Sequence, residues 1–413
     1  TLLKYKSGIS VFMPRKNMKW DPVTLTGNPT MSCEVNAFIR DVERREVRGD
    51  GMPDQARRAL EWTEFINVLL CIRTFFATGT GARRALMFPL LAILTLQWQL
   101  IARIDDVMQL GKDCIARCYA YDFALTVKIK KSKTNKKKID SSTQIIFGAM
   151  EPLVCPLLNL AVFLESESTA GSLLLFGKRS ARSVQDAMRS IWDSSFFRRI
   201  RSGLLGTHSF RKGAATFASR CGMFKDWIDI RGRWKGVKRQ VNTYIDVNVP
   251  YPDAKVAACL TGVRGPCKYV AKTNRGITDA FLESIVPNAV NALGADVGRV
   301  LALPLLWAAF EGGVTIDGTF YEFMPPRMAE EIKNAYFRHV GGHVMGNVVE
   351  KVGLKIRKRG DQLKILPILL KRCGGGLGGE RNNGGGDHTD NEGGDVDGAA
   401  MDVMEGSADA DEQ

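Results

Sequence analysis

The 413-residue chain carries a net charge of +14, but the charge is divided: residues 374–413 hold eleven acids and one Arg, a net of −10, which leaves +24 on residues 1–373. A composition of 45% hydrophobic and 25% charged residues is that of a folded protein of two or three domains, and so basic a body predicts a polyanionic partner, nucleic acid first, over charge kept for solubility alone. Nine cysteines without a CxxC pair exclude a cysteine zinc site and predict reduced thiols in an intracellular compartment.

The N-terminus, Thr-Leu-Leu-Lys-Tyr-Lys, has no long apolar region, so no secretory signal is predicted, and the missing starting Met predicts a fragment or a processed chain. Residues 33–48 have helical spacing with a basic outer face, and the pattern breaks at residues 49–53. A second helix is predicted over residues 61–76, with Phe65, Val68, Leu69 and Ile72 on one side. Residues 85–102 are the one tempting membrane candidate. Pro89, Gln97 and Gln99 interrupt it and it is short for a bilayer core, so a buried helix ending near Leu110 is predicted instead.

The period then changes. Residues 123–130 (FALTVKIK) alternate apolar and basic side chains as a half-exposed strand does, with residues 144–147 as its partner and a lysine-loaded turn between them. Helices follow over residues 156–165, 183–192 and 207–221, the last with Thr207 as its N-cap. Residues 278–370 are helical in pattern, most clearly at 297–310 and 327–340, the latter introduced by Pro325 and Pro326. The Gly-rich, acidic residues 374–413 have too little apolar content to fold and are predicted to be disordered. The fold class predicted is mainly α with a small β-hairpin or sheet (α+β).

Six residues carry chemistry in chain order: Arg103, Lys133, His208, Arg211, Trp234 and Tyr244. They supply two guanidinium clamps, an ammonium acid, an imidazole base, an indole donor and a phenol nucleophile, the groups that breaking a DNA phosphodiester without metal requires. Taken singly, each has a blander reading. His208 and Arg211 form an HxxR pair on one helix face, which is usually structural; a lone Arg103 could pair with Asp106; Lys133 is one of seven lysines between 128 and 138. Tyr251, fixed between Pro250 and Pro252, is the competing phenol. Asp105 and Asp106 fall on different helix faces, His339 and His343 lack an intervening Glu, and the TGTG run at residues 78–81 lacks a Gly-Lys-Ser/Thr ending. No metal, cofactor or nucleotide site is therefore predicted.

The order R-x-x-D-x-x-x-L, hairpin lysine, H-x-x-R, Trp, Tyr resembles the tyrosine recombinases of the phage-integrase type over about residues 30–250. The THSFRKGAATFA run and the use of Trp in the third box look most like the crypton-type recombinases of eukaryotic mobile elements. Two features depart from the pattern: Trp234 and Tyr244 are ten residues apart rather than nine, and Asp106 stands where Glu is usual. The resemblance implies a helical, core-binding-like DNA-binding domain over residues 1–80, truncated at its start, and a catalytic domain over 81–262; the patterning adds a helical C-terminal extension over 275–372 and the tail over 374–413. It implies Tyr244 as nucleophile, Arg103 and Arg211 as phosphate clamps, His208 as base, Lys133 as acid, Trp234 as donor and Asp106 as an orienting accessory. Lys130, Lys131, Lys136, Lys212, Arg231, Arg233 and Lys235 are the expected DNA contacts. The partners implied are double-stranded DNA and three further copies of the chain in a homotetramer on it, with no membrane, no metal and no ATP, in the nucleus if the source is eukaryotic. A domesticated DNA-binding protein without cleavage and a topoisomerase sharing the same site are the competing functions.

Overall fold

A computed structural model describes residues 2–48, 57–77, 84–129, 143–167, 171–234, 252–272, 276–342, 346–359 and 362–367. Residues 1–369 form one unit; the second, residues 370–413, lies outside the described residues. The architecture is mainly α with small antiparallel sheets, as the patterning predicts.

Helices α1 (Leu2–Val11) and α2 (Cys33–Arg48) precede α3 (Trp62–Ala77). Phe65, Val68, Leu69 and Ile72 of α3 are fully buried on the side expected of them. The next helix, α4 (Met87–Gln99), buries every residue but Phe88. A helix apolar all round belongs in the middle of a core, and α4 packs against α3 and, farther along the chain, α6 (Pro156–Ser166) and α8 (Thr207–Arg220). Among the described residues no helix is long and apolar enough to cross a membrane. The predicted continuation to Leu110 is corrected here: the chain turns at residues 100–102 and a separate short helix, α5 (Ile104–Met108), follows.

Strands β1 (Ile115–Arg117), β2 (Leu125–Lys128) and β3 (Thr143–Ile146) form an antiparallel sheet in which Leu125 faces Ile146 and Val127 faces Gln144. The lysine-rich turn at residues 130–142 lies outside the described residues. Strand β4 (Gly148–Ala149) leads into α6, and α7 (Ala181–Trp192), α8, α9 (Lys225–Gly232) and α10 (Asp253–Cys259) follow. An aromatic cluster fixes α8 on the core: Phe65 stacks on Trp98 with centroids 4.4 Å apart, and Trp62 stacks on Phe217 at 4.8 Å. Gly213 lets α8 come close, since a Cβ there would lie 2.4 Å from the Leu60 carbonyl oxygen.

The remaining chain holds β5 (Pro266–Ala271), α11 (Asp279–Ser284), α12 (Pro287–Leu293), α13 (Ala295–Glu311), the hairpin β6 (Gly313–Ile316) and β7 (Thr319–Glu322), α14 (Pro326–Val340), and β8 (Val349–Arg359) with β9 (Gln362–Pro367). The helices expected at 297–310 and 327–340 are α13 and α14. The helical reading of 278–370 misses the strands between and after them. At the β6–β7 turn Asp317 and Gly318 both take positive φ, 47° and 75°, the type I′ geometry that an Asp-Gly pair favours. Buried α13 packs on α6 and β1, and β5 pairs with β4, so this part shares the core of the preceding helices.

Candidate active site

Two helix ends build the site, and both stop in the same way. At the end of α4, Ile101 N–H donates to Trp98 O (3.1 Å) and Ala102 N–H to Gln97 O (3.0 Å), with Ile101 at φ 44°. At the end of α9, Arg233 N–H donates to Ile230 O (3.0 Å) and Trp234 N–H to Asp229 O (2.9 Å), with Arg233 at φ 55°. Each is a Schellman cap, whose left-handed position normally takes Gly. One cap delivers Arg103 two residues later; the other delivers Trp234 at once.

Arg103 caps α5 in an extended conformation rather than riding the long apolar helix. Its backbone N–H donates to Asp106 Oδ2 at 3.2 Å. That oxygen also lies 3.7 Å from Arg211 Nη1 and 3.6 Å from Arg233 Nη2, and Asp106 is buried. A carboxylate held by a backbone donor thus lies between two guanidinium groups at the start of α5.

His208 and Arg211 come from the first turns of α8. Gly206, not Thr207, is its N-cap: Ser209 Oγ accepts from Gly206 N–H (3.2 Å), and Thr207 is already the first helical residue, its carbonyl accepting from Gln97 Nε2 (2.8 Å). Arg211 is only 1% exposed. Its Nη2 donates to Gly232 O, its guanidinium lies 4.6 Å from the Trp234 ring centroid, and its Nη1 has no hydrogen-bond partner. Trp234, partly exposed, lies so close over Gly232 that a Cβ there would be 2.0 Å from the ring.

The field is strongly positive. Burial, and then the neighbouring charge of Arg103, pull Arg211 down to about 10, against the opposing pull of Asp106. Burial likewise lowers Arg233 to about 10. Both remain charged at neutral pH, two guanidinium groups beside one carboxylate with the charge of Arg103 within electrostatic reach. His208 is held below its ordinary value, first by desolvation and then by Arg211, Lys212 and Arg103. The imidazole is therefore neutral at pH 7, the form that accepts a proton. An NMR titration of His208 is expected to give a pKa below the usual ~6.5 in the free protein. A value above the usual one in the free protein would contradict this field.

Arg231, Arg233 and Lys212 stand differently from expectation. Arg231 is 1% exposed; its Nε donates to Gln99 O (2.9 Å), its Nη2 to Ile145 O (2.8 Å) and its Nη1 to Asp253. Every guanidinium nitrogen is used inside the protein, so the expected DNA contact is replaced by an internal cross-link. Arg233 turns inward too, to the carbonyls of Leu100, Ile101 and Arg231. Lys212 Nζ donates to Arg57 O at 2.6 Å. Tyr244, Lys133, Lys130, Lys131, Lys136, Lys235 and the competing Tyr251 lie outside the described residues. Two supporting residues escape the sequence reading: Asp253, which holds Arg231 and Ile145 N–H, and Gln144, whose Nε2 donates to Arg231 O. Neither belongs to a motif, and only the fold brings them to Arg231.

Fold and site together define a basic, mainly α protein with a paired-arginine, histidine and tryptophan centre suited to an anion. No family model and no curated protein matches the chain. Among solved structures it is similar to a chain of the FLP Recombinase-Holliday Junction Complex I, with 14% identity over 65% of this chain and 67% of that one and a TM-score of 0.41. It is similar also to a chain of the Flpe-Holliday Junction Complex, with 13% identity, 65% and 70% coverage and a TM-score of 0.40.

Proposed function

We propose that the chain is a site-specific DNA recombinase or integrase, encoded by a mobile element of the crypton type, that cuts and rejoins DNA through a 3′-phosphotyrosyl intermediate. One arrangement carries the reading. The buried Arg211 keeps a guanidinium nitrogen without a hydrogen-bond partner, within electrostatic reach of Arg103 and His208, against Trp234 and beside Asp106. A buried donor left unmade costs free energy, and a phosphate oxygen is the acceptor that three clustered cations favour.

In this mechanism Tyr244 Oη attacks the scissile phosphorus and gives its proton to His208, a transfer worth about 10²- to 10⁴-fold. The bond from phosphorus to the 5′-oxygen breaks, and that oxygen takes a proton from Lys133. Phosphodiester energy is kept in the phosphotyrosine, so the reverse attack by a 5′-hydroxyl rejoins the strand without ATP. Arg103 and Arg211 hold the non-bridging oxygens as charge develops on them, and Trp234 Nε1–H donates to the same phosphate.

Residues 1–80 and 81–262 would close on the duplex as binding and catalytic parts, four copies holding two duplexes. Residues 275–372 form a C-terminal extension followed by the acidic tail, and the nucleus is the proposed compartment. The test is a nicked suicide duplex library incubated with the protein and resolved in detergent. A protein–DNA adduct that Tyr244→Phe abolishes is expected. No adduct on any duplex, with binding intact, supports the cleavage-incompetent DNA-binding protein instead, and site-independent relaxation of supercoiled plasmid supports the topoisomerase.

A further inference from the structure

Arg233 sits where Gly is the easy choice. A side chain in the left-handed region crowds its Cβ against the following carbonyl oxygen, and for a β-branched residue such as Ile101 the conformation is a genuine outlier. The described residues hold four non-glycine residues at positive φ, Leu25, Ile101, Arg233 and Asp317. Two of the four meet at the site, with Arg233 Nη2 donating to Ile101 O at 3.5 Å. Strain concentrated in this way persists only where the surroundings over-determine it.

The surroundings here are the Arg233 side chain. From its own cap at the end of α9, its Nη1 reaches Arg231 O (3.1 Å) and Leu100 O (3.3 Å), while Nη2 reaches Ile101 O and lies 3.6 Å from Asp106 Oδ2. The side chain is 10% exposed. One guanidinium therefore joins two left-handed turns and the carboxylate between them. What hangs on each turn is chemical: Arg103 follows the first by two residues. Gly232, whose carbonyl holds Arg211, precedes the second, and Trp234 follows it.

We propose that Arg233 is a positioning residue, a clip between the caps of α4 and α9 that fixes the separation of Arg103 from Arg211 and Trp234. The inference rests on reading those arginines as the phosphate grip. It also explains why Arg stands at a position that Gly would occupy without strain: Gly keeps the turn and loses the clip.

Arg233→Gly and Arg233→Lys in the full chain separate this role from a DNA contact. In Arg233→Gly the turn is retained but the Leu100, Ile101 and Arg231 carbonyls lose a donor and Asp106 a neighbouring charge, so the thermal midpoint is expected to fall by several degrees without loss of cooperative folding. Hydrogen exchange is expected to quicken at the amides of residues 101–107 and 229–234. The salt dependence of binding to a nonspecific duplex oligonucleotide is expected to stay as in the parent, because no phosphate contact is lost. Formation of the Tyr244-dependent adduct is expected to fall about 10²-fold, the scale of a misplacement of about 1 Å. Arg233→Lys, with the charge but not the fork, is expected not to restore it. A salt slope lower by about one with unchanged exchange would make Arg233 a DNA contact and overturn the proposal, as would parental adduct rates in Arg233→Gly. If the parent protein itself forms no adduct, the recombinase reading fails, while exchange and salt slope still decide the clip.

Discussion

Arg211→Lys is expected to lower the rate of adduct formation by about 10²- to 10³-fold, the loss seen when one preorganised donor is removed from a site of developing charge. The charge is retained, so charge is not what the variant tests. Arg211 does three things at once: Nη2 holds Gly232 O, the planar face lies against Trp234, and Nη1 is left for an acceptor. An ammonium offers neither the fork nor the flat face. Buried where Arg211 stands, it also loses its proton far more readily than a guanidinium. Nonspecific duplex affinity is expected to change little, since one cation among a net of +24 on residues 1–373 is a small part of the counterion release. Comparing single-turnover adduct rates with salt-dependent binding checks both halves. Parental rates in Arg211→Lys would remove Arg211 from the chemistry.

The ordered residue types made half of this centre readable. Arg103, His208, Arg211 and Trp234 announce themselves because guanidinium, imidazole and indole groups in that order have few shared uses, and the fold brings the others within contact or electrostatic reach of Arg211. The RGRWKG run hides as much as it shows. Arg231 and Arg233 look alike in sequence, two cations beside a Trp, and both suggest a DNA-facing charge run. Their inward roles depend on Asp253, Gln99, Leu100 and Ile101, which no local pattern links to them. The break in the apolar helix is equally silent, because Ile101 takes a conformation that its residue type disfavours and no Gly or Pro marks it. The β6–β7 hairpin is a different case: Asp317-Gly318 is a local signal, outweighed by the strong helical periodicity on either side.

Arg231→Met is expected to destabilise the protein by about 3–5 kcal/mol, the effect of removing one partner from a buried ion pair. The pair is closed to water: Arg231 is 1% exposed and Asp253 7%. Removing the guanidinium leaves the Gln99 and Ile145 carbonyls without their side-chain donors and Asp253 with an uncompensated charge, although Ile145 N–H still donates to it at 2.6 Å. Each loss adds to the cost. In Arg231→Met combined with Asp253→Asn the orphan charge is gone, so the double variant is expected to be less destabilised than the sum of the two single ones, with a coupling of about 0.5–3 kcal/mol. Urea denaturation of the four proteins reads that cycle. If Arg231 instead faced DNA, the denaturation midpoint would not move and the salt slope of binding would fall by about one. The stakes extend to the chemistry, because Arg231 and Asp253 stand on either side of the segment that carries Tyr244. Their ion pair ties the end of α9 to the start of α10, so the two ends of the segment that holds the proposed nucleophile are pinned together.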